Sequence, residues 1–294
     1  MLDILLIYGS LLLSVLIGVA YFTLLERKLL GYIGIRKGPN KVGMMGVMQP
    51  LSDAIKLLGK ETLLPMFSVY IYYLVSPVMI ILLSFMMWML YPYYNYLVDF
   101  NLSFLFFLCL TGVSVYALIY SGWSSNSKYS MFGAYRGVAQ TISFEVGTAL
   151  IVISMALLSL NYEMMLLNVY QKYCYYMVYL IMLSFIWLTA MFAETNRSPF
   201  DFAEGESELV SGFNVEYSGY LFVLIFVGEY SSIMFMSMLF CIMYLGGVSL
   251  LLPLKSMGMM ILYVMVRGTF PRFRYDKSMS LVWKLFLPLV LFYF

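Results

Sequence analysis

Histidine does not occur anywhere in the 294 residues. Its absence excludes His-ligated haem, His-containing zinc sites and Ser-His-Asp catalysis. Cysteine is nearly as scarce. Cys109, Cys174 and Cys241 are far apart and lie in apolar stretches, so they are expected to be small buried hydrophobes. Three thiolates also fall short of the four that an iron–sulfur cluster usually takes. No G-x-G-x-x-G or Walker A sequence is present, so no nucleotide site is expected. The chain is therefore expected to hold no haem, flavin or iron–sulfur centre, and any redox centre belongs to a partner. Charged residues make up 11% of the chain, against about a quarter in soluble domains. With a net charge of +2 and no long basic run, nucleic-acid binding is not expected.

Apolar residues fill the space that charge leaves: 63% of the chain is hydrophobic. They fall in eight runs, at residues 4–25, 70–90, 102–121, 138–160, 173–192, 217–244, 249–266 and 278–294. Each approaches the ~20 residues that cross a bilayer core as a helix. The runs are continuous rather than alternating, which argues against strands. The fold class read from this is an all-α membrane protein, one polytopic domain over residues 1–294 with about eight transmembrane helices. The first run follows Met1-Leu2-Asp3 directly, with no basic n-region, and is expected to be a retained helix. No internal repeat is evident, which disfavours an inverted-repeat transporter.

Basic residues set the expected topology. Fourteen of the seventeen lysines and arginines fall in the odd-numbered loops between these runs; the others are Lys172, Lys255 and Lys284. The positive-inside rule places the odd loops on the cytoplasm-like side. In the first loop, residues 50–60 put Leu51, Ala54, Ile55 and Leu58 on one helical stripe and Asp53, Lys56 and Lys60 on another. That is an amphipathic surface helix, lying on the membrane or packed on neighbouring protein.

Acids concentrate in the fifth loop, where residues 193–218 carry Glu194, Asp201, Glu204, Glu206, Glu208 and Glu216 against one basic residue, Arg197. Ser198-Pro199-Phe200-Asp201 reads as a helix start, with Ser as cap, Pro at the first position and Asp at the third. On that expected helix Asp201, Glu204 and Glu208 share one arc, and Glu206 faces elsewhere. A solvated acidic face is the bland reading. A cluster of repelling carboxyls beside a membrane instead favours proton uptake. Glu145 and Glu229 fall inside apolar runs, about 12 Å and about 18 Å deep at 1.5 Å per residue. An ionisable group at that depth is functional by default, the alternative being a neutral or paired group that joins helices. Arg27, Arg36 and Arg274 have a topological explanation at helix ends; Arg27 and Arg274 are also expected to pair with the acids of the fifth loop.

Four stretches carry a resemblance: LLERKLLGYIGIRKGPNKVG at 24–43, with QPLSDAIKLLGKE at 49–61; RGVAQTISFEV at 136–146; AETNRSPFDFAEGESELVSGFNVEYS at 193–218; and VRGTFPRFRYDK at 266–277. In this order, and on this hydropathy frame, the chain resembles the subunit 1 family of respiratory complex I, the proton-pumping NADH:ubiquinone oxidoreductase. The resemblance implies a subunit of the mitochondrial inner membrane with its odd loops facing the matrix. It implies ubiquinone as the substrate and no covalent cofactor. The partners it implies are the hydrophilic quinone-reducing arm, antiporter-like membrane subunits and lipid. Carried onto this chain, it implies a quinone chamber at Glu26, Arg27, Arg36, Asp53, Arg197, Phe222 and Arg274. The implied proton path runs through Glu145, Glu194, Asp201, Glu204, Glu206, Glu208, Glu216 and Glu229. A stand-alone ion antiporter, the anchor subunit of a related membrane-bound hydrogenase, and a plain scaffold are the competing readings. The lack of a transit peptide, together with heavy Met, Tyr, Phe and Leu usage, leads us to expect an organelle-encoded chain.

Overall fold

A computed structural model describes residues 2–92, 100–247 and 251–293, without the side chains of residues 2–5, 206 and 207. The described residues form no strand. Their helices are α1 (Leu2–Ile33), α2 (Gln49–Leu58), α3 (Tyr70–Met87), α4 (Ser103–Ser124), α5 (Lys128–Ser159), α6 (Met164–Tyr170), α7 (Tyr176–Tyr179), α8 (Ile181–Glu194), α9 (Glu206–Leu209), α10 (Gly219–Tyr244), α11 (Leu252–Thr269), α12 (Tyr275–Leu281) and α13 (Leu287–Tyr293). A π-helical segment, Val282–Phe286, carries α12 into α13. Every one of the eight apolar runs is thus occupied by helix, as expected for an all-α membrane protein. The ends of the last two runs, at 249 and 294, lie outside the described residues.

Among the described residues, five helices are long and apolar enough to cross a membrane: Leu6–Ile33, Tyr70–Leu90, Ser103–Ser124, Lys128–Ser159 and Gly219–Tyr244. Two runs differ from their expected form. The fifth is broken at Leu180 between α7 and α8, and α8, with 14 residues, is about 21 Å long. The fourth is part of a longer helix: α5 starts ten residues earlier, at Lys128, where the Ser127 hydroxyl accepts the backbone N–H of Ser130. A polar stretch can be as helical as an apolar one once capped, so hydropathy marks the apolar part of α5 and not its start. Glu145 is consequently about 26 Å from the start of its helix, and Glu229 about 15 Å from the start of α10.

At the centre stands α10, packed against α3, α11 and α1. Its second half, from Ile233 to Tyr244, is buried on every side, as expected for a helix that is apolar all round. On its outer flank α1 buries Val15, Val19 and Phe22 while leaving Leu6, Leu13 and Ile17 exposed. The odd loops meet at one end of the bundle. There the Val69 N–H donates to Ser124 O (3.0 Å) and the Phe273 N–H to Pro199 O (3.0 Å). At the other end the Phe104 N–H donates to Tyr162 O (3.2 Å), and Gln171 Oε1 accepts the Gly246 N–H (2.7 Å). Helix α2 is amphipathic as expected: Leu51, Ile55 and Leu58 face outward and Asp53 turns toward α1.

The fifth loop departs from expectation. No helix starts at Ser198; the chain turns through 199–205, and α9 is a single turn of four residues. Gly205 (φ +38°) and Gly212 (φ +58°) take left-handed conformations that interrupt helical continuity. The loop also lies flat against α5: a Cβ on Gly133 would come 2.8 Å from Ala203 O, and one on Gly137 2.8 Å from Ala203 Cβ. Backbone packing thus replaces the expected helix. The cysteine expectation holds for Cys241, which is buried, but not for Cys174, which is half-buried, or for Cys109, which is exposed on α4. In one chain of an apolar bundle, an outward position need not be polar.

Candidate functional site

The site begins where α1 crosses α10. Phe22 and Glu26, one helical turn apart, both face Tyr230: the two aromatic rings meet edge to face at 5.6 Å, and the Tyr230 hydroxyl donates to Glu26 Oε2 at 2.5 Å. Glu26 is 6% exposed, and two arginines share its other oxygen. Arg267, in the last turn of α11, hydrogen-bonds Oε1, and Arg197, just beyond α8, lies 3.9 Å from it. Arg197 is itself 8% exposed, and its guanidinium sits over the Tyr230 ring at 4.4 Å. A buried charge needs pairing and hydrogen bonds, and this cluster supplies both from four separate segments. Burial works against the Arg197 charge, but Tyr230, Glu26, Glu204 and Glu229 outweigh it and hold its proton more tightly than usual.

Beside this cluster the turns of the fifth loop bring Glu204 inward. Its Oε1 accepts from Asn214 Nδ2 at 3.2 Å, and Glu229 of α10 lies within hydrogen-bonding reach. Burial raises the Glu204 carboxyl above the ordinary range; Arg197 pulls it down, and Asp201 pushes it up further. Asp201 pairs with Arg272 at 3.6 Å, which ties the fifth loop to the segment after α11.

A cavity of about 90 Å³ continues into the bundle between α3, α4 and α10. Glu194, Thr195, Asn196, Glu229 and Ser232 line it, along with apolar side chains such as Leu83 and Met236. A water needs roughly 10–15 Å³ on this scale and two to four polar partners, so the cavity suits several. Glu194 Oε2 and Asn196 Oδ1 are buried without a hydrogen-bond partner among the described residues, and such waters can serve them. Glu145, on α5, is close enough for its charge to act on Glu194. It rests against Gly112 of α4, where one added carbon would come within 3.0 Å of Oε1. Carboxyls therefore run in sequence from Glu26 through Glu204, Glu229 and Glu194 to Glu145.

Comparison with known proteins decides the family. A model of the NADH dehydrogenase family matches residues 7–294. The chain belongs to the NADH dehydrogenase family. Among its relatives, the NADH-ubiquinone oxidoreductase chain 1 of Aedes aegypti and that of Anopheles gambiae are each 55% identical over 289 residues, covering 97% of this chain and 92% of theirs. The protein of that name from Locusta migratoria is 53% identical over 283 residues, covering 96% of this chain and 90% of its own. The resemblance drawn from the four motifs is thereby borne out.

In this member of the NADH dehydrogenase family, the structure gathers some of the expected residues and separates others. Glu26, Arg197, Asp201, Glu204 and Glu229 converge, and Glu194 and Glu145 continue from them. Arg27 pairs with Asp53 at 2.7 Å, joining α1 to α2, and not with the acids of the fifth loop. Arg274 likewise pairs with its near neighbour Asp276 at 3.0 Å, both exposed. In each case a partner on an adjacent element or the next turn is nearer than the loop. Arg36 is exposed on the turn after α1. Glu208 points outward to Arg136 at 2.6 Å, so the shared arc expected with Asp201 and Glu204 is lost along with the helix. Glu216 contributes its backbone carbonyl to Tyr73 at 2.7 Å. The Glu206 side chain lies outside the described residues.

Tyr230, Arg267, Asn214 and Arg272 are among the residues of the site that have no counterpart among the expected ones. A signal for Tyr230 does exist. Phe222, Phe226 and Tyr230 recur every four residues, and their rings follow one another along α10 at 4.3 Å and 6.1 Å. Such a stripe is usually core, and what makes it specific here is that Phe22 and Glu26, at the same spacing, face it.

Proposed function

We propose that this chain is the core membrane subunit of NADH:ubiquinone oxidoreductase that walls the quinone chamber against the hydrophilic arm and couples quinone reduction to proton translocation. The observation that carries the reading is the gathering of carboxyls at one place: Glu26 with Arg197 and Arg267, Glu204 beside Glu229, and Glu229 with Glu194 on one cavity. Quinone reduction takes up protons as well as electrons. The electrons come from the arm, since this chain offers no expected redox centre. Protons cannot cross hydrocarbon alone, and a path for them needs titratable groups linked by water. The relatives' printed name, NADH-ubiquinone oxidoreductase chain 1, supports the same reading.

The chamber is assigned to the odd-loop end. The stripe Phe222–Phe226–Tyr230 with Phe22 supplies an apolar wall, and the charged cluster supplies polar groups near the head. The odd loops face the matrix of a mitochondrion, and the outward stripe of α2 rests on lipid or on the arm. A photoreactive ubiquinone bound to the intact enzyme tests this. It should cross-link to the first loop, the fifth loop and the adjoining ends of α1 and α10. Labelling confined to the even loops would overturn the assignment.

A further inference from the structure

Tyr73 and Tyr217 are stacked face to face at 4.4 Å and 3°, and both are buried. Tyr73 belongs to the first turn of α3. Tyr217 closes the fifth loop, two residues before α10. Their hydroxyls are used differently. Tyr73 donates to the backbone carbonyl of Glu216 at 2.7 Å. The Tyr217 hydroxyl lies 2.9 Å from Ser76 Oγ, 3.3 Å from Ser124 Oγ and 3.3 Å from Ser121 O. One phenol has one donor and two lone pairs, so these contacts use all of its capacity. The end of the fifth loop is thus fastened to α3 and to the last turn of α4.

From this anchor the chain leads back to the acids in a few steps. The Tyr217 N–H donates to Asn214 O at 3.1 Å, closing a tight turn, and Asn214 Nδ2 holds Glu204 Oε1. Asn214 is itself buried, and the neighbouring Phe213 N–H reaches Ala203 O at 3.4 Å. We propose that Tyr217 is a positioning residue: through its hydroxyl and the turn to Asn214, it fixes the Glu204 carboxyl against Glu229. This rests on the reading of Glu204 and Glu229 as members of the proton path. A buried stack could serve packing alone, so the test must separate packing from positioning.

The test is a double-substitution comparison in the assembled enzyme in native membranes. Proton pumping driven by NADH oxidation through ubiquinone is the readout, and NADH oxidation by an artificial acceptor reports on the arm. Tyr217→Phe keeps the ring and its stack and removes the hydroxyl. It should lower coupled pumping at least about twofold, the lower end of what one hydrogen bond spans, because all three contacts of the hydroxyl are lost. In a Glu204→Gln background it should cause no further loss, because the group it positions no longer titrates. Losses that multiply across the two substitutions would assign Tyr217 to packing and overturn the inference, as would normal pumping by Tyr217→Phe. If Glu204→Gln itself pumps normally, the proton-path reading fails first and this inference falls with it. Should Tyr217→Phe not assemble, Ser76→Ala, which removes the 2.9 Å partner of the Tyr217 hydroxyl and leaves the stack, takes its place in the comparison with the same two outcomes.

Discussion

The Tyr230 hydroxyl donates to Glu26 across 2.5 Å and joins α10 to α1 inside a cluster that also holds Arg197 and Arg267. Removing the Glu26 charge leaves the buried Arg197 without its nearest carboxylate. Breaking a buried pair from one side costs about 3–5 kcal/mol, moderated here because Arg267 is partly exposed. Tyr230→Phe loses one hydrogen bond to a charged group, about 1.5–3 kcal/mol, and keeps the ring beneath Arg197. Glu26→Gln should therefore lower the thermal inactivation midpoint of the isolated enzyme more than Tyr230→Phe does. The reverse order would mean that the hydroxyl, and not the charge, organises the cluster.

Sidedness gives a second expected outcome. Asn101 in the second loop and Val210 in the fifth are both exposed. New cysteines at these positions should react with a membrane-impermeant reagent from opposite faces, Val210→Cys from the matrix face. Labelling of both from one face would contradict an eight-span topology.

These outcomes draw on parts of the molecule that were unequally legible in the sequence. The helices were legible because a bilayer demands about 20 apolar residues per crossing, and that demand writes itself into long runs such as 70–90 and 217–244. Helix ends were less so, since Lys128–Arg136 is helical without being apolar. The acids at 145, 194, 204 and 229 stood out because charge is rare in such a chain. Their partners did not: Tyr230 is one of 27 tyrosines, and Arg267 carried a sufficient topological explanation. The fifth loop departs from its sequence pattern because a helix-start pattern at Ser198 is local. The close approach of Ala203 to Gly133 and Gly137, which displaces the helix, is set by residues some seventy positions away.

The intramembrane acids are open to a third test. Glu145→Gln and Glu229→Gln keep size and hydrogen bonding but remove titration. Each should impair quinone-coupled pumping severalfold or more while the complex assembles and NADH oxidation by an artificial acceptor persists. The outward pair supplies the control: Arg136–Glu208 is about half exposed, and such pairs are worth roughly 0–1 kcal/mol, so Glu208→Gln should pump almost as well as the parent. Normal coupled pumping by an assembled Glu145→Gln, Glu229→Gln double variant would end the proton-path reading.

The last expected outcome concerns pH and follows from Glu204. Burial lifts its carboxyl above the ordinary range, Arg197 and Arg267 pull it down, and Asp201 and Glu26 push it up, with Glu229 the further acid in contact. The net direction is upward. In the window above the ordinary carboxylate value, the folded chain keeps a proton on Glu204 that the unfolded chain has released. The folded state then binds more protons, so stability falls as pH climbs through the raised value. Glu204→Gln is neutral throughout and lacks this dependence. Thermal inactivation midpoints of the two enzymes, measured from acid to alkaline pH, should therefore diverge to the disadvantage of the parent as pH rises. If the parent instead gains on the variant with rising pH, Arg197 and Arg267 dominate, Glu204 is held as the anion, and a proton handed toward Glu229 cannot originate there.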